Sequence, residues 1–194
     1  MKRILMLAFA VGFLSTAAMA DSKDKKTHKE NTVDSTEIQW LSVDDVQVKM
    51  HDQPRKVYVD IYTDWCGWCK RMDVTTFKDP NVIKYMNTKF YCVKLNAERR
   101  DSIRFLGKMY GYDAEHKSNT LAEQLLQGQM SYPTAVIFTG ENFQNPIPLP
   151  GYQDVNTMEM VLKYVGENVF KTQKFEDYQK QFRGAWKQQP QVQN

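Results

Sequence analysis

Apolar and polar stretches alternate along the chain and predict how it is organised. Residues 21–36 contain one apolar residue, Val33, among many charges. Such a segment buries too little surface to offset the entropy lost on ordering, so we predict a flexible charged tether there. Clustered apolar residues over 37–170 predict a single folded domain, and residues 171–194 are predicted to form a C-terminal helix followed by a disordered, Gln-rich tail.

The first twenty residues have the layout of a cleaved secretory signal peptide. Lys2 and Arg3 precede an almost wholly apolar run over 4–14, and the small residues Ala18 and Ala20 frame a cleavage site. A retained membrane anchor is the alternative, but the apolar run is well short of the ~20 residues that span a bilayer. We therefore expect this segment to be removed and the mature protein to be exported, without stable membrane insertion.

The pattern of the folded part predicts an α/β domain in which a mixed sheet is flanked by helices. β-Branched and aromatic residues dominate three stretches, which is typical of buried strands, and prolines place a fourth strand at a sheet edge. Helices are predicted where a Ser or Asp precedes an amphipathic run. The predicted strands cover 55–63, 90–95, 134–138 and 146–149, and the predicted helices begin at Ser42, Asp79 and Asp154.

Helical spacing also predicts two less regular parts of the fold. Between residues 97 and 131, apolar residues recur three and four positions apart, so we expect a helical insertion there. At the C-terminus a further helix with an aromatic packing face is expected. The residues that carry these patterns are Ile103, Leu106, Met109, Tyr110, Leu121, Leu125 and Leu126 in the insertion, and Phe175, Tyr178, Phe182 and Trp186 in the terminal helix.

The charge balance narrows the choice of partners. Lys and Arg total 26 and Asp and Glu total 23, which gives a formal net charge of +3. Lys2 and Arg3 leave with the signal peptide, so the mature chain is nearly neutral and has no basic surplus with which to neutralise a nucleic acid. We therefore expect no nucleic-acid partner. The 3 cysteines are too few for a disulfide-stapled scaffold, so the core must come from ordinary burial.

Cys66 and Cys69 are the clearest candidates for chemistry. They stand where a predicted strand turns into a helix, and the helix dipole and free backbone N–H groups at that point favour a thiolate. Cys66, in the solvent-facing first position, is then the attacking sulfur. Cys69, one turn further and more buried, is expected to resolve the mixed disulfide.

Two alternatives to redox chemistry exist for this pair. A zinc site needs four ligands, and only Cys92 and the scattered His28, His51 and His116 remain to supply them. A purely structural disulfide that closes so short a loop would stabilise the chain little. Redox chemistry is therefore the favoured interpretation, and Cys92 is interpreted as a buried core thiol rather than a second redox group.

The residues around the pair resemble a known family. The run Val-Asp-Ile-Tyr-Thr-Asp-Trp-Cys-Gly-Trp-Cys-Lys, residues 59–70, resembles the active-site strand and turn of the thioredoxin superfamily. It is most similar to exported bacterial thioredoxin-like proteins and to the periplasmic thioredoxin-like domain of thiol:disulfide interchange proteins. The resemblance extends over about 57–152. It implies a thioredoxin fold, in which the extra segment 97–131 either lines the substrate groove or covers the sheet.

The resemblance also implies roles for individual residues. Asp60, six residues before Cys66, matches the buried acid that handles the proton of the resolving cysteine, and Lys94 matches the lysine that accompanies this acid. Gly151 is similar to a glycine that borders the substrate groove. The implied substrate-binding residues are Trp65, Gly67 and Trp68 beside the cysteines, and Tyr132, Pro133 and Thr134 of a cis-proline turn.

The function implied by the resemblance is that of an exported protein-disulfide oxidoreductase. The dipeptide Gly67-Trp68 lacks the histidine that would stabilise the thiolate and make the site more oxidising, so a reductase is favoured. A disulfide oxidase or isomerase with the same site and a non-catalytic binding module are the alternatives. We expect disulfide-containing protein substrates, a membrane or soluble thiol–disulfide electron donor, and a monomer in the periplasm of a Gram-negative bacterium. No metal or organic cofactor is implied beyond the redox-active disulfide Cys66–Cys69.

Overall fold

The computed structural model describes residues 35–186. The predicted signal peptide (1–20), the tether up to residue 34 and the tail from residue 187 lie outside the described residues, so what the sequence indicates for them stays a prediction. Within the described range, no helix combines the length and the apolar character that crossing a bilayer requires.

Helices and strands follow the predicted α/β order. The strands are β1 (Trp40–Leu41), β2 (Lys56–Tyr62), β3 (Phe90–Asn96), β4 (Ile103–Phe105), β5 (Lys108–Tyr110), β6 (Tyr112–Asp113), β7 (Ser118–Asn119), β8 (Thr134–Phe138) and β9 (Pro146–Pro150). The helices are α1 (Val43–Asp52), α2 (Gly67–Val74), α3 (Pro80–Lys89), α4 (Thr120–Leu125), α5 (Val155–Gly166) and α6 (Phe175–Gln181). Ser42, Asp79 and Asp154 cap α1, α3 and α5 as predicted, because each side-chain oxygen accepts a backbone N–H of the first turn.

A mixed five-stranded sheet in the order β1–β3–β2–β8–β9 lies at the centre of the fold. β1, β3 and β2 are parallel, whereas β8 and β9 are antiparallel to the strands they pair with. The proline-containing strand β9 lies at the edge of the sheet, as expected for residues that lack an N–H. β2 and β3 are paired so that Asp60 lies opposite Lys94.

An apolar layer covers each face of this sheet. α1, α4 and the β4–β5 strands pack on one face, against Val57, Val59 and Ile61. Apolar residues of α2, α3 and α5 pack on the other face, against Tyr58. Because side chains alternate along a strand, Asp60 shares the face of Tyr58, where it is only 2 % exposed.

The helix predicted across residues 103–110 is wrong, because this part of the insertion forms the β4–β5 hairpin. Leu106 and Gly107 make the turn, with φ of 49° and 79°, a left-handed conformation that two-residue hairpin turns favour and helices exclude. Ile103 and Phe105 are both buried, two positions apart, so the strand period rather than the helical spacing decides which side chains enter the core. The second half of the insertion contains α4, as expected.

The C-terminal helix α6 is present, but it ends at Gln181, so that Phe182 and Trp186 lie beyond it. Glu159 of α5 holds the extended segment that follows, because its carboxylate accepts the backbone N–H of Ala185 at 2.9 Å and that of Trp186 at 2.8 Å. The aromatic packing face is confirmed, although only part of it is helical. Phe175, Tyr178 and Trp186 are the members that pack against the core layer of α3 and α5.

Candidate active site

The two active-site cysteines lie at the junction between β2 and α2. Cys66 is the N-cap of α2, and its sulfur accepts the backbone N–H of Cys69 at 3.0 Å. The two side chains form a disulfide, with 5.3 Å between the Cα atoms. Both residues are 4 % exposed. The expected difference in burial is therefore absent from the oxidised protein, in which the Cys66 sulfur lies against the first turn of α2, bonded to Cys69 and within hydrogen-bond distance of its N–H.

Two exposed tryptophans connect this turn to neighbouring loops. Trp65 packs edge-to-face on Tyr132, with 5.8 Å between ring centroids, and Trp68 packs on Tyr152 at 5.4 Å. The indole N–H of Trp65 donates to Glu98 Oε1 at 2.8 Å, which fixes the direction of the ring. Trp65 is nevertheless 66 % exposed and Trp68 58 % exposed. The disulfide is therefore bordered by apolar surface that solvent, or a partner, can reach.

The loop before β8 has the cis peptide bond that was expected between Tyr132 and Pro133. The carbonyl oxygen of Pro133 accepts the backbone N–H of Gly151 at 2.8 Å. Thr134 begins β8 and is buried, and its hydroxyl donates to the carbonyl oxygen of Ser131 at 2.8 Å. Together with the aromatic pairs, these bonds bring the predicted substrate-binding residues together. Trp65, Gly67 and Trp68 are exposed and Tyr132 is half-buried, whereas Pro133 and Thr134 are buried and support this surface from beneath.

An acid–lysine–acid cluster lies behind the cysteine helix. The Lys94 ammonium group lies 3.5 Å from Oδ2 of Asp60 and also donates to the carboxylate of Asp73. It sits over the ring of Tyr62 at 4.8 Å, where a cation is attracted to the aromatic face. Asp73 follows Cys69 by four residues on α2, so the two side chains occupy the same face of that helix. The cluster thus extends from the turn below Cys69 to the buried Asp60.

The buried carboxyl group of Asp60 has a perturbed pKa. Burial raises the pKa of Asp60 from 3.8 to about 6, because desolvation penalises the charged form. The Lys94 ammonium opposes this rise, and the negative charge of Asp73 adds to it. The sequence-based expectation that desolvation outweighs Lys94 is therefore confirmed. A carboxyl group that titrates near neutral pH is able to accept a proton in one step and release it in another.

Sequence reasoning missed three residues of this region. Asp73 carried a usable signal, since it is an acid four residues after Cys69 on a helix that was already predicted. Tyr152 follows the expected groove residue Gly151 directly, but nothing in the sequence pairs it with Trp68. The contact between Glu98 and Trp65 likewise joins residues that are distant in the chain.

Cys92 is the third cysteine, and it lies inside the core layer of α3 and α5. It is 1 % exposed, and burial raises the pKa of its thiol far above the usual value. A buried, protonated thiol is a poor nucleophile. These properties agree with the interpretation of Cys92 as a core residue.

Several known proteins are similar to this chain. Over 168 residues it is 24% identical to the thiol:disulfide interchange protein DsbD of Escherichia coli strain K12, a match that covers 84% of this chain and 26% of that protein. The chain thus spans about a quarter of the length of the curated relatives it matches.

Two solved structures share the fold at low sequence identity. A thioredoxin-fold protein from Helicobacter pylori superposes with a TM-score of 0.50 at 18% identity, covering 66% of this chain and 79% of that one. A thioredoxin from Thermus thermophilus gives a TM-score of 0.51 at 14% identity, covering 66% of this chain and 87% of that one. These similarities confirm the thioredoxin fold.

A family model matches most of the chain, residues 18–189. Its description reads Thioredox_DsbH, protein of unknown function, DUF255. The CxxC disulfide at the N-terminus of α2 and the similarity to DsbD agree with thiol–disulfide exchange as the chemistry of the site. The chain therefore belongs to the Thioredox_DsbH family, within the thioredoxin superfamily, and has the fold and the CxxC disulfide of a thioredoxin-like protein.

Proposed function

We propose that this protein is an exported thiol–disulfide oxidoreductase that reduces the disulfides of other proteins. The observation that carries the exchange chemistry, in either direction, is the position of Cys66 as the N-cap of α2, with the Cys69 N–H pointing at its sulfur. When the disulfide is reduced, this donor and the helix dipole favour the thiolate of Cys66 over the thiol. The thiolate is the form that attacks a disulfide.

The proposed reaction moves two electrons from the dithiol to the substrate. The Cys66 thiolate attacks one sulfur of a substrate disulfide, which forms a mixed disulfide and releases the other substrate sulfur as a thiolate. The Cys69 thiolate then attacks the Cys66 sulfur, which closes the Cys66–Cys69 bond and releases the second substrate thiolate. The dithiol has been oxidised and the substrate disulfide reduced. A second dithiol protein must reduce Cys66–Cys69 before the next cycle.

Asp60 is proposed to accept the proton that Cys69 loses before its attack. Its pKa of about 6 makes it a base near neutral pH. The path between them runs through Asp73 and Lys94, which make successive contacts between α2 and Asp60. A cleft of about 290 Å³, lined in part by Trp40, Asp73 and Lys94, opens beside this path, so water can carry the proton to solvent.

The charge of the same cluster favours the reducing direction. Two carboxylates, Asp60 and Asp73, surround the single ammonium group of Lys94. The surplus negative charge of this cluster disfavours a cysteine thiolate close to it. The reduced form of the protein is then less stable relative to the disulfide form, which makes the protein a better reductant. Trp68, between the cysteines, contributes apolar surface rather than the positive charge that an oxidase would use.

The proposal also includes export to the periplasm and a thiol–disulfide protein as electron donor. The signal-like first twenty residues favour the periplasm, where disulfide substrates exist. The relatives named DsbD are thiol:disulfide interchange proteins, which supports a thiol–disulfide protein as electron donor. The surface formed by Trp65, Trp68 and Tyr132 is the proposed contact for both substrate and donor.

Reduction of insulin disulfides, with dithiothreitol as the electron donor, tests the activity. The mature chain should accelerate the reaction, and Cys66→Ser should return it to the uncatalysed rate. Equal rates with and without the mature chain would instead favour the binding module. Equilibration with glutathione then tests the direction: a reductase should have a reduction potential nearer to ~−270 mV than to ~−120 mV, the values of a typical reductant and a strong oxidant. A potential near the second value would identify an oxidase.

A further inference from the structure

A basic cleft lies at the end of the sheet opposite to the disulfide. Its volume is about 350 Å³, within the range of small-ligand sites. It forms where β2 begins and β8 ends, and the 3-10 turn after α5 closes one side. The lining residues that the structure describes are Pro54, Arg55, Lys56, Thr139, Gly140, Asn145, Asn168, Phe170 and Lys171, and none of these is acidic.

The cations of the cleft repel one another. The pKa of the Lys56 ammonium is lowered by burial and by the positive charges of Lys171 and Lys89. Lys56 and Lys171 are therefore close enough to interact in a partly desolvated place, and Arg55 adds a third positive charge to the lining. Lys89 does not line the cleft but adds to the positive potential at Lys56. A nearly neutral chain thus concentrates positive charge at this cleft, and a bound anion would relieve the repulsion between the cations.

Two of these cations are held in place by neighbouring groups. The Arg55 guanidinium donates to the carbonyl oxygen of Asn87 at 3.1 Å and stacks over the ring of Tyr91 at 4.7 Å. The Lys56 ammonium lies 3.5 Å from the carbonyl oxygen of Gly166. Groups fixed in this way lose little freedom when a ligand arrives, so the cleft is preorganised.

We propose that this cleft binds a phosphate group, either of a free phosphate or of an anionic lipid headgroup. A phosphate carries up to two negative charges and several acceptor oxygens, which match the positively charged donors of the lining residues Arg55, Lys56 and Lys171. The amide residues Asn145 and Asn168 and the hydroxyl residue Thr139 line the same space and add neutral polar groups.

The site is separate from the disulfide. Lys56 begins β2, and the cysteine turn follows the last residue of that strand. A strand of 7 residues spans roughly 20 Å. A phosphate in the cleft is therefore too far away to touch Cys66, and its binding is independent of the proposed reductase activity.

Isothermal titration of the oxidised mature protein with inorganic phosphate, at constant ionic strength, tests the proposal. We expect saturable binding that Lys56→Gln/Lys171→Gln weakens by about tenfold or more, because charged hydrogen bonds are lost. Lys56→Arg/Lys171→Arg should keep the affinity within a few-fold. The control Lys84→Gln/Lys108→Gln, with the same loss of charge at exposed lysines elsewhere, should bind like the parent, and circular dichroism checks that every variant folds.

Cosedimentation with vesicles separates the two sources of the phosphate. Binding to phosphatidylglycerol vesicles but not to phosphatidylcholine vesicles, lost in the Gln double variant alone, would identify a lipid headgroup. Binding of inorganic phosphate without vesicle binding would identify a free phosphate or phosphate ester. The proposal is overturned if neither probe binds, if chloride competes as well as phosphate, or if the control double variant loses as much affinity. None of these outcomes depends on the insulin assay.

Discussion

The Lys94 ammonium group lies 3.5 Å from the carboxylate of Asp60, directly across the parallel pair of β2 and β3. It is the positive charge between two acids, because Asp73 binds it from α2. Asp60 is almost completely buried, whereas the side chain of Asp73 is 40% exposed. The pair and its outer acid therefore connect the interior of the sheet to the surface just below Cys69.

Replacing Asp60 by Asn should stabilise the protein at neutral and alkaline pH. The pKa of Asp60 is raised from 3.8 to about 6, so between these values the folded state holds a proton that the unfolded chain has lost. The stability that this proton contributes falls as pH rises from about 4 to about 6. Above pH 6 the buried, ionised carboxylate makes the folded protein about 3 kcal/mol less stable than it would be with Asp60 protonated. Asn cannot ionise, so Asp60→Asn should be more stable by about 1–3 kcal/mol at pH 8, the lower value reflecting the lost pairing with Lys94.

Urea unfolding of the oxidised protein at pH 4 and pH 8 measures this difference, with the exposed Asp52→Asn as the control. A stability gain that is the same at both pH values would contradict a raised pKa. Insulin reduction by the same variant tests the proposed role separately. Turnover should fall by at least about tenfold, since the amide cannot take the proton of Cys69, and unchanged turnover would remove Asp60 from the mechanism.

Replacing Asp73 by Asn should lower the pKa of Asp60. The negative charge of Asp73 is one of the causes that raise this pKa, and a neutral amide in its place would leave Lys94 to act on Asp60 alone. The pH at which turnover rises on its acid side should therefore shift to lower values. The pH profile of insulin reduction measures this shift, and Asp177→Asn, an exposed acid on α6, is the matched control. A profile that does not move would mean that Asp73 is too solvated to influence Asp60.

The parts of this site that the sequence predicts are those encoded by short spacings. Cys66, Cys69 and Asp60 lie within one strand and the following turn, so their relation follows from strand and helix geometry. Asp73 also has a short spacing, four residues after Cys69. Its role was not predicted, because its partner Lys94 lies on β3, which is distant in sequence and contacts Asp73 only in the folded protein. The pairing of Trp68 with Tyr152 depends in the same way on the folding of distant segments.

The hairpin over β4 and β5 was mispredicted for a different reason. Ile103 and Tyr110 are seven residues apart, a spacing that fits a helix face and also fits a pair directly opposite each other in a hairpin. What separates the two is the conformation of Leu106 and Gly107, both with positive φ. Leucine seldom adopts this conformation, and two-residue turns of this kind usually have Asn, Asp or Gly at the first position. Only Gly107 therefore indicates a turn in the sequence.

If Cys66 attacks the substrate and Cys69 resolves the mixed disulfide, the two Cys→Ser variants should differ in whether they trap substrates as mixed disulfides. Cys69→Ser should accumulate mixed disulfides through Cys66, because nothing resolves them, whereas Cys66→Ser should not. Non-reducing gels of cell extracts that express each variant, repeated after addition of reductant, make the comparison. Equal trapping by both variants would show that the two roles are not separate. In the reduced protein, iodoacetamide followed by peptide mapping should label Cys66 before the buried Cys92.

Glu159 is predicted to be the residue that holds the C-terminal segment. Burial raises its pKa, but the hydrogen bonds from Lys163, Ala185 and Trp186 outweigh burial, and the pKa lies below the usual value. A depressed folded pKa means that the stability from the ionised carboxylate is present above the unfolded pKa, near ~4.3, and is lost as pH falls through the folded value. Packing of Trp186 should therefore loosen in acid, which its fluorescence can report.

Replacing Glu159 by Ala should cost about 2–3 kcal/mol at pH 7, because two backbone N–H groups and Lys163 lose their acceptor. The exposed Glu176→Gln on α6 should change stability by less than about 0.5 kcal/mol. Truncation after Gln181 removes the same N–H groups, so Glu159→Ala in the truncated chain should cost less than it does in the full chain. Urea unfolding of the four proteins of this double-mutant cycle gives the coupling energy between Glu159 and the segment. A coupling near zero would mean that Glu159 serves only its pair with Lys163, and that Trp186 stays in place through its contact with Tyr85.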